Sequence, residues 1–196
     1  PMLDILGELK VDEDSYVFHF DRLFDRRESW VLNPENVLSI TDGIVDISNF
    51  SVSKDDQALI IRKSRDSNGL EGEVTGIDLG LLNEVWDYPK LDFAGKAEIS
   101  FEIDKLSSVN EISAKVFSDE FIINDDNQGV LAGSVSYFKL DRSLSMDVSI
   151  DDGNSRLSSK GIVSLSSITS QETNHYNLAI NAKDYPLDIL EYFIGD

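Results

Sequence analysis

No cysteine occurs in the 196 residues, which excludes disulfides, thiolate catalysis and cysteine zinc sites. Histidine is almost as scarce. His19 and His175 lie far apart in alternating patterns, neither with a ligand partner at metal spacing, so both are expected as structural strand residues. Positive charge is also short, with 17 Lys and Arg against 37 Asp and Glu, for a net charge of −20. That balance repels phosphate backbones and anionic headgroups, so no nucleic-acid partner is expected and simple electrostatic adhesion to a membrane is disfavoured. There is no run of 18 apolar residues, and the first residues form neither the basic nor the apolar part of a signal peptide. If the natural protein is exported or anchored, the chain is expected to be an excised segment.

What the chain does contain is alternation. From 96 to 104, Ala97, Ile99, Phe101 and Ile103 alternate with Lys96, Glu98, Ser100, Glu102 and Asp104, the period of a strand with one dry face. Leu144, Met146, Val148 and Ile150 repeat the pattern, as do Tyr176, Leu178, Ile180 and Ala182. Shorter versions run through Tyr16, Phe18 and Phe20, through Ile112, Ala114 and Val116, and through Val135 and Tyr137. About a dozen strands result, at the spacing of an all-β array. Asp, Asn and Gly cluster between them, at Asp42-Gly43, 66–69, 124–129 and 151–154, where tight reversals need residues that tolerate positive φ. Gly72, Gly95, Gly133 and Gly161 fall inside or at the head of strands and are expected to mark bulges or bends. The fold class is therefore all-β: a long, curved, mostly antiparallel sheet.

Two segments depart from period two. Leu79, Leu82 and Trp86, with Leu81 and Val85, fit a short amphipathic helix, and Leu187, Leu190 and Ile194, with Ile189 and Phe193, fit another. Pro186 suits a first helical turn and Gly195 a C-terminal cap. The chain 1–196 is read as one segment, divisible into two units, 1–90 and 91–196, each closed by such a helix. An apolar face this long must be covered, by closing as a sandwich, rolling into a barrel or folding lengthwise into a trough.

Directed chemistry has no visible home. The chain lacks a nucleophile elbow, a phosphate-binding glycine loop, a dinucleotide fingerprint and a paired-histidine zinc motif, so no enzyme, no cofactor and no metal is expected. Asp151-Asp152-Gly153-Asn154 is the best calcium candidate, but it lacks the spacing and distal Glu of a calcium-binding loop. Trp30 and Trp86 are flanked by aliphatic residues and read as core rather than as sugar platforms.

The order of several short pieces carries more. Trp30-Val31-Leu32-Asn33-Pro34-Glu35-Asn36-Val37 is followed by Gly43-Ile44-Val45-Asp46-Ile47-Ser48-Asn49-Phe50 and then by Gln57-Ala58-Leu59-Ile60-Ile61. The helical segment 77–86, Phe93-Ala94-Gly95, Leu131-Ala132-Gly133-Ser134-Val135, Lys160-Gly161-Ile162 and Pro186 to Leu190 come next. Over nearly its whole length this resembles the C-terminal conserved region of the TamB family, the translocation and assembly module subunits. It departs from that pattern at Arg62-Lys63-Ser64, where the family has a glycine.

The resemblance implies a segment of a large envelope protein of a diderm bacterium, anchored in the inner membrane and extending through the periplasm. It also implies partnership with an outer-membrane β-barrel of the BamA or TamA type. The family's sheet is bent into a taco-like trough whose apolar interior moves phospholipids between membranes in outer-membrane biogenesis. Carried onto this chain, the groove lining is Ala97, Ile99, Phe101 and Ile103, then Leu144, Met146, Val148 and Ile150, then Leu178 and Ile180. The ligand is the phospholipid acyl chain. Two further readings use the same residues: a chaperone-like module that pairs with unfolded strands of outer-membrane β-barrel proteins, and a β-sandwich adhesin or carbohydrate-binding module in which alternation merely builds a core.

Overall fold

A computed structural model of the chain describes residues 3–12, 15–25, 28–42, 44–64, 69–85, 91–106, 108–165 and 175–186. The elements run β1 (Leu3–Asp12), β2 (Ser15–Asp25), β3 (Glu28–Leu32), β4 (Val37–Thr41), β5 (Ile44–Ser48), β6 (Phe50–Lys54), β7 (Gln57–Lys63) and β8 (Leu70–Asp78). Next come α1 (Leu81–Val85), β9 (Phe93–Ala94), β10 (Lys96–Ile103), β11 (Glu111–Ser118), β12 (Ile122–Ile123) and β13 (Asp126–Asn127). Four long strands follow: β14 (Val130–Phe138), β15 (Ser143–Asp151), β16 (Arg156–Ser164) and β17 (His175–Lys183). Among the described residues, fourteen strands are hydrogen-bonded into an antiparallel sheet that does not close, and β9, β12 and β13 form a three-stranded one. The expectation of an all-β chain with a long antiparallel sheet holds. The chain divides into two compact units, Pro1–Gly76 with Ser100–Ile112, and Ile77–Ile99 with Ser113–Asp196.

In the first unit the sheet forks at β2. One edge of β2 pairs with β4 through Ser15 to Phe18 and with β3 through Leu23 to Asp25. The backbone between those stretches needs another partner, because a buried strand cannot leave its N–H and C=O unpaired. Asn36 supplies it. Its Oδ1 accepts from Phe20 N at 2.9 Å, and its Nδ2 donates to Phe20 O at 2.7 Å and to Asn33 O at 2.6 Å. The carboxamide, one donor group and one acceptor, thus stands in for a strand residue. His19 donates from Nδ1 to the Asn36 carbonyl at 2.7 Å, the structural role expected of it. On the opposite edge the β1 register shifts between Leu6, paired with Arg22, and Gly7, paired with Phe20, leaving Asp21 as the extra residue of a bulge. Beyond the fork, Phe20 meets Phe50 of β6 edge-on at 5.8 Å, and Val52 of β6 is buried.

The second unit holds the main hydrophobic cluster: Leu79, Leu91, Phe93, Ala97, Phe121, Ile123 and Tyr185, with Val116, Leu131, Ile150 and Leu157 packed against it. The first helix begins at Leu81, two residues after the expected Leu79. Leu79 lies before it in the core, whereas Leu81 and Leu82 of α1 are exposed. A polar clamp orients the turn in place of an apolar stripe: Asn83 accepts from Phe93 N at 2.9 Å and donates to Phe93 O at 3.0 Å. Trp86 and the expected second helix lie outside the described residues, and Trp30 is half-buried on β3 rather than in a core.

Gly95, with φ 113°, separates β9 from β10 as a bend would, whereas Gly72 against β7, Gly133 against β15 and Gly161 against β15 and β17 sit in uninterrupted register, with no bulge in those pairings. Close approach explains two of them. A Cβ on Gly72 would lie 2.2 Å from the Phe101 ring, and one on Gly161 would lie 1.9 Å from the Asn177 carbonyl oxygen.

Two stability changes follow. Asn36→Ala strands both backbone groups of Phe20 and should cost about 2–4 kcal/mol. In a Trp86→Phe background, where Trp30 is the only tryptophan left, urea unfolding followed by fluorescence reads that loss; an unchanged midpoint would remove the clamp from the account. Ser118 has the opposite sign. Its Oγ is buried with no hydrogen-bond partner, so Ser118→Ala should stabilise by about 1 kcal/mol, seen as a higher Tm.

Candidate functional site: one apolar face of four strands

The three antiparallel pairings that join β14 to β17 run without a register shift over nine residues each. Directly paired residues point to the same side of a sheet, so the register reads out its faces. One side carries four cross-strand rows: Tyr137-Leu144-Val163-Tyr176, Val135-Met146-Gly161-Leu178, Gly133-Val148-Ser159-Ile180 and Leu131-Ile150-Leu157-Ala182. The other side is serine-rich and carries the ion pair between Lys160 and Asp147, at 2.8 Å. That hydrogen bond and charge hold the Lys160 ammonium above its ordinary pKa.

Among the described residues the apolar side is closed at one end. Leu131, Ile150 and Leu157, in the last row, pack on the hydrophobic cluster. Tyr185 anchors the same end by donating to Gln128 Oε1 at 2.6 Å. Away from that row the cover thins. Leu144, Met146 and Val148 are half-buried, whereas on β17 Tyr176, Leu178 and Ile180 are 66 %, 41 % and 56 % exposed.

Residue size gives this face relief. β15 presents Leu144, Met146, Val148 and Ile150, and β17 presents Tyr176, Leu178 and Ile180, while the middle of β16 offers only Ser159 and Gly161. A furrow two residues long, Ser159 and Gly161, therefore lies between two apolar ridges, bounded along β16 by Leu157 and Val163. Its flanking strand axes are about 10 Å apart, twice the interstrand spacing.

Six of the ten residues assigned to the groove from sequence, Leu144, Met146, Val148, Ile150, Leu178 and Ile180, are brought onto this face. The four on β10 lie outside the four-strand run. Ala97 is a core residue beneath Phe93 and Phe121's cluster, and Ile99 is half-buried in the same unit. Phe101 and Ile103 belong to the first unit, where the Phe101 ring covers Gly72. Sequence reading places a strand at Lys160-Gly161-Ile162 but assigns no groove residue to β16, because Ser159 and Gly161 interrupt the apolar alternation between Leu157 and Val163 while Ile162 points to the other side.

The 151–154 turn, considered for calcium, is spent on holding β15 to β16. Asp152 Oδ1 accepts from Asn154 N at 2.8 Å and Ser155 N at 2.6 Å, its Oδ2 accepts from Ser155 Oγ at 2.8 Å, and Asp151 Oδ1 accepts from Gly153 N at 2.8 Å. Among the described residues no group of three or more His, Cys, Asp or Glu gathers to hold a metal. No protein-family model, no curated protein and no solved structure matches the chain.

The Ser155 amide and hydroxyl, with the Asn154 amide, hold the Asp152 carboxyl below its ordinary value of 3.8. A depressed pKa stabilises the fold above the unfolded value, and that contribution is lost as pH falls through the folded one. Asp152→Ala should therefore flatten the decline of stability below about pH 4. Urea midpoints taken from pH 6 to pH 3 check this, and an unaltered slope would mean that the turn does not titrate with folding.

Proposed function

We propose that the apolar face of β14–β17 shelters the acyl chains of phospholipids, and that the chain is a non-enzymatic segment of a TamB-like protein. In this reading it lies in the periplasm of a diderm bacterium, its parent anchored in the inner membrane and partnered with an outer-membrane β-barrel of the BamA or TamA type. The sheet folds lengthwise into a trough along which lipid passes between the membranes. The observation that carries the proposal is the exposed apolar face, with its short furrow floored by Ser159 and Gly161 and flanked by Met146, Val148, Leu178 and Ile180. Removing hydrocarbon from water contributes about 0.8 kcal/mol per methylene, so partial shelter of one chain is worth several kcal/mol without any directed polar contact. A β-sandwich is disfavoured, because a sandwich core would cover the apolar residues that β17 leaves exposed.

A second reading has its own support. β17 is the last strand of the sheet, and all nine of its residues are exposed, so among the described residues its outer edge is open to an added strand. In that reading the cargo is an unfolded β-barrel protein, held by backbone pairing with alternate apolar contacts.

A photo-crosslinking residue placed at Met146 or at Ile180 separates the two by adduct mass. Phospholipid adducts at both positions support acyl-chain shelter; protein adducts alone, at position 180, support strand pairing. Ser159→Phe tests the furrow itself. Filling it should cut the lipid adduct at position 146 severalfold with the circular dichroism spectrum unchanged. General greasiness would instead raise the adduct, and an undiminished adduct sinks the furrow.

A further inference from the structure

Seven non-glycine residues among those described have positive φ, and six are Asp or Asn, the types that tolerate it. The seventh is Arg142, with φ 48°, in the four-residue hairpin tip Lys139-Leu140-Asp141-Arg142 between β14 and β15. Leu140 of that tip is 85 % exposed, the most exposed large apolar side chain described. It stands between two cations in a chain of net charge −20.

The tip is not isolated. The row Phe138-Ser143-Ser164-His175 places the end of β16 and the start of β17 beside it. Leu165 donates its N–H to the Arg142 carbonyl at 2.8 Å, which pins a second apolar side chain, 38 % exposed, next to the tip. Tyr176, the exposed end of the first apolar row, completes the group. This is the end of the face remote from the hydrophobic cluster.

Charge is distributed unequally between the two ends. The cluster end carries Asp151, Asp152 and Asp184 with four carboxylates of the loop 119–129, against Arg156 and Lys183 alone. At the tip end, among the described residues, Lys139 and Arg142 stand against Asp141. An anionic surface therefore repels the cluster end and tolerates the tip end.

We infer that the tip 139–142, with Leu165 and Tyr176, docks the second unit on an anionic phospholipid bilayer, at the open end of the apolar face. The inference rests on the acyl-chain reading and gives it an entry point. Leu140 and Leu165 enter the acyl boundary, Tyr176 sits at the headgroup level, and Lys139 and Arg142 meet headgroup phosphates while their stems lie along the apolar contact. The overall charge opposes binding, so it selects orientation: only the tip can approach.

Because the chain has no cysteine, Ser143→Cys and Asn154→Cys each accept a single environment-sensitive dye, one beside the tip and one at the cluster end. With protein-free vesicles of phosphatidylcholine and phosphatidylglycerol, the dye at 143 should shift to the blue and the dye at 154 should not. Leu140→Asp should weaken vesicle binding about tenfold or more. Arg142→Gly should weaken it about fivefold while raising Tm, since glycine adopts positive φ freely and removes the charge. A silent dye at 143, equal shifts at both ends, or Arg142→Gly binding like the unaltered chain overturns the docking. Lipid adducts at position 146 alongside a silent dye at 143 sink the docking alone, whereas a responding dye without adducts sinks the acyl-chain reading alone.

Discussion

Backbone register across β14–β17 is the constraint on which the apolar face depends. Side chains alternate sides with period two, so a slip of one residue in any of the three pairings would turn one strand's apolar residues toward the serine-rich side. Hydrophobic burial alone holds that register weakly, because most of the face is not fully buried. The turns have to do more of it. Between β15 and β16 the Asp151 and Asp152 carboxylates take up four hydrogen-bond donors of the turn. Between β14 and β15 the Arg142 amide and carbonyl tie the tip to Lys139 and Leu165. The last row is locked by packing on the cluster around Phe93 and Phe121. Local polar geometry thus sets a global apolar surface, with its firm end at the cluster and its loose end at the tip.

The first unit solves a different problem with related chemistry. A sheet that forks exposes backbone at the crotch, and one carboxamide closes the gap at Phe20. Asn83 treats Phe93 in the same way in the second unit. In both places asparagine works as a piece of strand that the chain does not have to thread. Only a side chain with a donor and an acceptor on one planar group can do this, so neither aspartate nor leucine of the same size replaces it.

Much of this was legible in the chain itself, and the reasons for the rest are specific. Alternation through 96–104, 143–150 and 176–182 identified strands, because period two is a local property of the backbone. Which alternating residues end in a core is not local. Ala97 and Ile99 look alike in sequence, yet only Ala97 lies in the cluster, since that depends on Leu79, Phe121 and Ile123 arriving from elsewhere. The strand at Gly161 is legible, but its place in the apolar face is not, because that face is defined there by small residues whose significance lies in the ridges on either side. The Asn-Pro-Glu-Asn stretch at 33–36 stood out as a pattern, but the role of Asn36 follows from the fork, which no single strand announces. Glycine was the most misleading signal: Gly72 and Gly161 relieve close approach from Phe101 and Asn177, and the same residue type would serve a bulge equally well.

An exposed apolar face and an edge that no described strand pairs are both invitations to self-association, and β17 combines them. Its nine residues hold no proline and no bulge, and Lys183, at the very end, is its one permanent charge. The usual protections of an edge strand are therefore missing where they are most needed. Net charge replaces them. At −20, two copies repel over the several ångströms within which edge pairing must begin, an effect independent of which residues carry the charge. Placing charges at Leu178 or Ile180 would spoil the ridge they form, whereas distributing carboxylates over turns and the opposite side leaves the ridge intact. The scarcity of basic residues and the exposed apolar face thus go together: net charge keeps like chains apart where the face itself carries no charge.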